Sequence, residues 1–512
     1  MNLFQPSSEL IGKFLKRMNP SRVVWTIIGL GIVLRLIQYL YNRSLWLDEA
    51  SLALNLIEKT FSELFQPLDY GQMAPPGFLL VEKVLINTFG TGEYVLRLFP
   101  LMAGIFSLFI FYAVARRVLS QRGLIIALGL FAISGPLIRY SSEFKQYSSD
   151  VAIALGIYLM GLIWLEQKSR FVLYTFLFSS IGSILIWFSH PSIFFLSGVG
   201  IALAVHSLKT KKWKQVAWLT VPAFLWLGSL AVFYYVSLLE FSQGKRFLRL
   251  GSAWSHSFMP MPPLSVHDLM WYPEKFFAVF NYPAGISFMG LAALCFVIGC
   301  TSKFFENRHS FYILTLPVLI ALLASGLHKY PFGGRLILYI VPVIMIFIGE
   351  GVDQVIHKTK HTGRIVGVSL CVLLFFHPVH KAQFLLRSPI EREEIKPVLS
   401  YLKQHFQKGD GLYLYYKSWS AFKYYANRYG LEGVELLRGV SGRSNWQNYV
   451  NDLKSLRGNE RMWILFSHVH IKSGIDEERF FLHVLDGMGR QVDSFSRKGA
   501  SVYLYDLHPG SR

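Results

Sequence analysis

The chain has 512 residues and a formal charge of +20, with 53% hydrophobic, 16% aromatic and only 16% charged side chains. That is more apolar surface than one water-soluble domain buries, so the sequence describes an integral membrane protein. Cys295, Cys300 and Cys371 all fall in apolar stretches, which excludes a disulfide framework or a cysteine-rich zinc site, and most Lys and Arg residues lie in short loops between apolar spans, where they set topology rather than bind nucleic acid.

Residues 1–22 carry Lys13, Lys16, Arg17 and Arg22 and are expected in the cytoplasm. Val23 to Tyr41 then forms the first span, long enough for a hydrocarbon core of ~30 Å. It is too long for a removable signal and lacks a small-residue cleavage site. Further spans are expected at Leu98–Ala115, Leu124–Tyr140, Val151–Leu165, Phe171–Phe188, Ile193–Leu208, Val216–Leu238, Gly285–Thr301, Phe311–Leu327, Leu336–Val355 and Ile365–His377, about eleven in all. With a cytoplasmic N-terminus, every short basic loop falls on the cytoplasmic side: Arg116 to Arg122, Lys168 with Arg170, Lys209 to Lys214, Lys303 with Arg308, and Lys358 to Arg364. Residues 23–380 thus form a polytopic α-helical bundle, expected in the plasma (inner) membrane. Residues 42–96, 141–150, 239–284, 328–335 and everything after about 380 are expected outside.

The first outer segment opens on Leu45-Trp46-Leu47-Asp48-Glu49-Ala50, an acidic pair beside hydrocarbon. A base waiting for a lipid-borne substrate is one use of such a pair, and an ordinary interfacial helix start, whose first turn favours Asp and Glu, is the other reading. Further on, Gln72-Met73-Ala74-Pro75-Pro76-Gly77 leads into an apolar run suited to an interfacial or re-entrant helix. The junction Tyr140-Ser141-Ser142-Glu143-Phe144-Lys145-Gln146-Tyr147 holds an acid, a base and two tyrosines, which fits either a site or an interfacial belt. His190 beside Pro191 ends a span. The loop 239–284, with Met259-Pro260-Met261-Pro262-Pro263, Trp254, His256 and Trp271, covers a site or rests on lipid. Arg335, after Gly333-Gly334, grips a phosphate bidentately or snorkels to the interface.

After about Ser388 the pattern turns to alternating helices and strands, so residues 390–512 are expected to form a small accessory α/β domain. Helices are expected at Glu391–Phe406, Ala421–Arg428, Trp446–Leu456 and Glu477–Met488. Strands are expected at Gly411–Tyr416, Val434–Leu437, Met462–Phe466, Arg490–Phe495 and Ser501–Asp506. No glycine-rich phosphate loop or His-Glu metal spacing occurs there.

Taken in order, residues 45–50, Ala-Pro-Pro-Gly-Phe-Leu-Leu (74–80), Arg-Leu-Phe-Pro-Leu-Met-Ala-Gly (97–104) and 140–147 resemble the GT-C glycosyltransferases. The chain is most similar to bacterial relatives of protein O-mannosyltransferases, aminoarabinose transferases and Rgt-type galacturonosyltransferases. The resemblance implies transfer of a sugar from a polyprenyl-phosphate donor to a lipid, glycan or protein acceptor on the extracytoplasmic face. It maps a catalytic or metal-associated carboxylate to Asp48 with Glu49 beside it, and a second acid to Glu143. Lys145 and Arg335 would stabilise the departing phosphate; Glu143 would position Lys145 or the sugar; Tyr147 and His190 are further candidates for substrate contact. Two departures stand out: Ala74 replaces a His common before the Pro-Pro pair, which weakens the case for a divalent cation, and Lys145 replaces an Arg. No cofactor is required by the sequence, and the metal question stays open. A transporter or lipid flippase, or a non-catalytic membrane subunit, are the alternative readings.

Overall fold

The computed structural model describes residues 20–167, 170–238, 254–358, 360–443, 445–472 and 474–508. The basic segment before Pro20 and the first part of the expected covering loop, 239–253, lie outside the described residues. Ten described helices are long and apolar enough to cross a membrane, and with them comes a C-terminal sheet flanked by helices. The chain is a multi-pass integral membrane protein. Helices suit that setting because they satisfy each backbone N–H and C=O within their own segment.

The spans pack through small residues and buried polar stripes. In Pro20–Leu40 the buried positions Val24, Ile28, Gly31, Leu34, Arg35 and Gln38 recur at helical spacing. The most deeply buried span, Gly334–His357, packs on Met289–Glu306 by backbone approach, since a Cβ on Gly351 would lie 1.8 Å from the Cys295 carbonyl oxygen and one on Gly299 1.9 Å from that of Phe347. This span opens with a 3-10 stretch, Gly334–Ile340, before continuing as an α-helix.

The apolar run expected as one span at Leu124–Tyr140 is two helices, Gln121–Ile133 and Gly135–Tyr140. Pro136 brings no N–H to the junction, so a continuous ladder is impossible there. Arg35, fully buried in the first span, donates to the freed Ala132 carbonyl at 3.1 Å and to Gly31 O at 2.9 Å. Ser134 Oγ donates to Ala284 O at 3.1 Å. The break turns the chain over the end of the bundle that carries residues 141–150.

At that end, residues 42–96 fold around two longer helices, Leu47–Glu58 and Pro76–Phe89, with a 3-10 turn at Glu63–Phe65 and a short helix at Glu93–Leu96; the second longer helix is the short apolar helix expected from the sequence, with proline in its first turn. They meet the C-terminal domain, a five-stranded mixed sheet in the order Leu436–Arg438, Gly411–Leu414, Met462–Ser467, Ala500–Asp506, Arg490–Arg497. The first three strands are parallel and the last two antiparallel. Successive residues alternate between faces: Leu412, Leu414, Trp463 and Leu465 pack on one side, Tyr413, Tyr415, Ile464 and Phe466 on the other. The first face shares a single core with Leu45, Leu52, Leu56, Phe78 and Leu79 of the 42–96 segment and with Phe422 and Tyr425. Polar contacts tie the same seam: Leu45 N donates to Tyr425 Oη at 2.9 Å, Leu47 N to Glu393 Oε2 at 2.9 Å and Lys396 Nζ to Asn42 O at 2.5 Å.

Candidate active site

Asp48 and Glu49 begin the Leu47–Glu58 helix, where adjacent side chains point about 100° apart. One therefore faces the cleft and the other the core. Asp48 lines a cavity of about 500 Å³ together with Gln72, Lys145, Gln146, Tyr147 and Arg335. Its Oδ2 accepts a bond from Arg335 Nη2 at 2.5 Å, across 287 positions of sequence. The Arg335 guanidinium lies 5.2 Å from the Trp46 ring centroid and 5.6 Å from that of Tyr147, so two aromatic faces hold it over the carboxylate. Lys145 is 4% exposed and donates to Gln72 Oε1 at 2.5 Å.

The electrostatics follow from this packing. Burial alone would raise the Asp48 pKa, but Lys145 and Arg335 hold it below the ordinary carboxylate range. Burial pushes the Lys145 ammonium down to about 8, with Asp48 opposing that drop and Arg335 adding to it. The cleft thus presents one ionised carboxylate between two cations. Such a set can accept a proton from a hydroxyl and bind a phosphate in the same space.

Glu49 does not reach the cleft, and here the sequence expectation of a catalytic group is revised. It is completely buried, and Arg97 donates to it twice, from Nε at 2.9 Å and from Nη2 at 2.8 Å, while the Phe144 N–H donates at 2.6 Å. Burial would raise its pKa, and the Arg97 guanidinium more than offsets that. Arg97 also donates to the Arg43 and Ser44 carbonyls at 2.7 and 3.2 Å, so the pair pins the turn that precedes Asp48.

Glu143 is likewise fully buried beneath the cleft rather than lining it. Arg139 approaches at 3.4 Å, with Arg43 and Arg392 at 4.0 Å. Burial and the neighbouring Glu49 carboxylate push its pKa up. Arg392 in turn sits 3.9 Å above the Trp46 ring, on the residue that flanks Arg335. Both acids read as catalytic in sequence therefore brace the floor on which Asp48 and Arg335 stand.

Tyr147 and His190 do line the cavity, as do Trp254, His328 and Lys329. Burial lowers the His190 pKa to about 4, so its imidazole is neutral near pH 7. Asp150, which sequence reasoning passed over, lines the same wall and accepts a 2.6 Å bond from Ser189 Oγ. Its signal was present: an ionisable residue one turn inside an apolar span is a site candidate by default. Arg97 and Gln72 carried no such signal, because their partners lie far off in sequence. The donor set does not fit a divalent cation. Among the described residues no three His, Cys, Asp or Glu side chains converge, and ammonium and guanidinium groups flank Asp48 where further ligands would stand.

The fold is that of the GT-C membrane glycosyltransferases. Among solved structures the chain is similar to ArnT from Cupriavidus metallidurans bound to undecaprenyl phosphate, with TM-score 0.57 and 12% identity over 94% of this chain and 97% of that one. It is also similar to the oligosaccharyltransferase AglB from Archaeoglobus fulgidus in complex with an inhibitory peptide and a dolichol-phosphate, with TM-score 0.52 and 10% identity over 94% of this chain and 74% of that one. A third likeness is to the arabinofuranosyltransferase AftD from Mycobacteria, with TM-score 0.50 and 11% identity over 96% of this chain and 42% of that longer one. No protein-family model matches the sequence, and no curated protein matches it.

Proposed function

We propose that the chain transfers a sugar from a polyprenyl-phosphate donor to an acceptor hydroxyl at the extracytoplasmic face of the membrane. The observation that carries this reading is the Asp48 carboxylate held between Lys145 and Arg335 in a cleft at one end of a membrane bundle. Two solved relatives of the same fold hold a polyprenyl phosphate, which is the ligand these two cations suit.

In the proposed step the acceptor oxygen attacks the anomeric carbon while the bond from that carbon to the phosphate oxygen breaks. The bonding pair leaves with the phosphate, where Lys145 and Arg335 stabilise the growing charge, and the acceptor proton passes to Asp48. Arg335 is released from Asp48 as it engages the phosphate, which frees the carboxylate oxygen for the acceptor. Glu49 and Glu143 act as positioning residues, the first through Arg97 and the second through Arg392 and Trp46. Lipid, glycan and protein acceptors all satisfy this chemistry.

The direct test is the purified chain incubated with radiolabelled polyprenyl-phosphate sugars and envelope fractions. Label transfer with stoichiometric release of polyprenyl phosphate is expected. Transport of intact donor across a vesicle membrane without cleavage would replace this reading with a flippase.

A further inference from the structure

One wall of the cleft is unused by that mechanism. Gln146 ends the junction before the Tyr147–Glu166 helix, Asp150 follows one turn later, and His190 approaches from the connection between two other spans. Gln146 is 7% exposed and its Oε1 is buried with no hydrogen-bond partner among the described residues. Asp150 is 4% exposed, and among the described residues its side-chain bond, from Ser189, occupies Oδ1. Among the described residues the wall therefore holds acceptors open to a hydrogen, Gln146 Oε1 and the second oxygen of Asp150, beside the amide of Gln146 and the imidazole of His190. A buried acceptor left unsatisfied is costly, so whatever occupies this space gains by bringing hydrogens.

The geometry points to this wall as the sugar-recognition subsite, selecting a donor whose sugar presents hydroxyls, or other hydrogen-bond donors, to Gln146 and Asp150 and carries no carboxylate. The inference rests on the polyprenyl-phosphate reading above and narrows its substrate class. A hydroxyl both gives a hydrogen to Gln146 Oε1 and accepts from the same amide, whereas a carboxylate has no hydrogen to give and leaves that oxygen unsatisfied. Charge leads the same way. Lys145 and Arg335 are balanced by Asp48 and the donor's own phosphate, and among the described residues the further Lys or Arg on the cleft lining, Lys329, is exposed. A uronate would add a negative charge beside the Asp150 carboxyl with no buried cation left to match it among the described lining residues.

The test uses the full chain in lipid nanodiscs and matched donors: gluco-, galacto- and mannosyl polyprenyl phosphates, the 6-carboxylate counterpart of each, and sugar-free polyprenyl phosphate as reference. At least one neutral donor is expected to bind about tenfold or more tightly than its uronosyl counterpart, with no pair reversed. Asp150→Asn should narrow that ratio several-fold, and Gln146→Leu should weaken the neutral donor relative to the sugar-free reference. A uronosyl donor binding as well as its neutral partner would overturn the subsite assignment while leaving the donor reading intact. Failure of wild type to bind the sugar-free reference would instead sink the donor reading, and this inference with it. If Asp150→Asn does not fold, the wild-type ratios and the Gln146 variant still decide.

Discussion

Asp48 and its two cations make separable predictions. Asp48→Asn keeps the shape of the side chain but cannot take a proton, so turnover is expected to fall by about 10² to 10⁴ with the protein still inserted and folded. Transfer within a few-fold of wild type would remove Asp48 as the base. For Arg335 the fork matters as well as the charge. Arg335→Lys is expected to lose roughly ten- to hundredfold in donor affinity, because an ammonium cannot span two phosphate oxygens from between Trp46 and Tyr147. Wild-type affinity in the Lys variant would defeat the clamp.

Lys145 adds a pH dependence with a fixed sign. In the proposed step its cation binds phosphate, and burial brings its pKa down to about 8, so that interaction is expected to be complete below that pH and lost above it. The profile of kcat/KM, which reports the free enzyme, should therefore fall on the alkaline side near pH 8. Lys145→Arg should move that limb out of range. On the acid side Asp48 stays ionised below the ordinary carboxylate range, so activity should persist there until the carboxylate protonates.

At the scale of elements, the Leu47–Glu58 helix divides its two acids between the cleft and the core. Removing one partner of a buried ion pair typically costs ~3–5 kcal/mol, so Glu49→Gln is expected to lower the thermal midpoint clearly while Asp48→Asn does not. A cleft mutant that melts lower than Glu49→Gln would reverse that division. The dipeptide announced itself in the sequence as a costly acidic pair at a membrane surface. Which member faced the cleft did not, because that depends on the helix phase set by Arg97 and by the C-terminal domain. The broken span was hidden for a related reason. Hydropathy runs on through Ser134-Gly135-Pro136, and the carbonyl freed at the break is met by Arg35, a residue in another span. By contrast the strands and helices after Ile395 were legible, since each alternates or repeats over its own length and needs no distant partner to declare its type. Asp48 with Arg335 marks the limit: both residues stood out as candidates, yet nothing short of the fold could join them.

Across the whole molecule, the seam between residues 42–96 and the C-terminal sheet decides whether the site exists at all. Deleting everything after Ser388 removes Glu393, Lys396 and Tyr425, which hold Leu47, Asn42 and Leu45, and exposes the core those segments share. The truncated chain is expected to lose polyprenyl-phosphate binding and to become protease-sensitive within 42–96. Near-normal binding would show the domain to be dispensable. Sidedness can be read independently. Arg479, with a side chain 89% exposed, is a labelling position in that domain, and Arg479→Cys should react with a membrane-impermeant maleimide from the extracytoplasmic side. Labelling only from the cytoplasm would invert the topology and with it the proposed compartment of transfer.

That seam also sets a time order. Ribosomes make Leu45 early and Tyr425 hundreds of codons later, yet one hydrogen bond joins them and a single core spans both. The spans can enter the bilayer as they emerge, and Arg97 can already hold the turn before Asp48. The bonds that Glu393, Lys396 and Tyr425 make to residues 42–47 form only once those later residues arrive. On the proposed function, a partly synthesised protein would meet lipid donors with the Asp48 segment incompletely held, and is expected not to cleave them during its own assembly. Nascent chains stalled before the Trp419–Tyr425 helix should sit in the membrane without activity, and release of the full length should switch it on in one step.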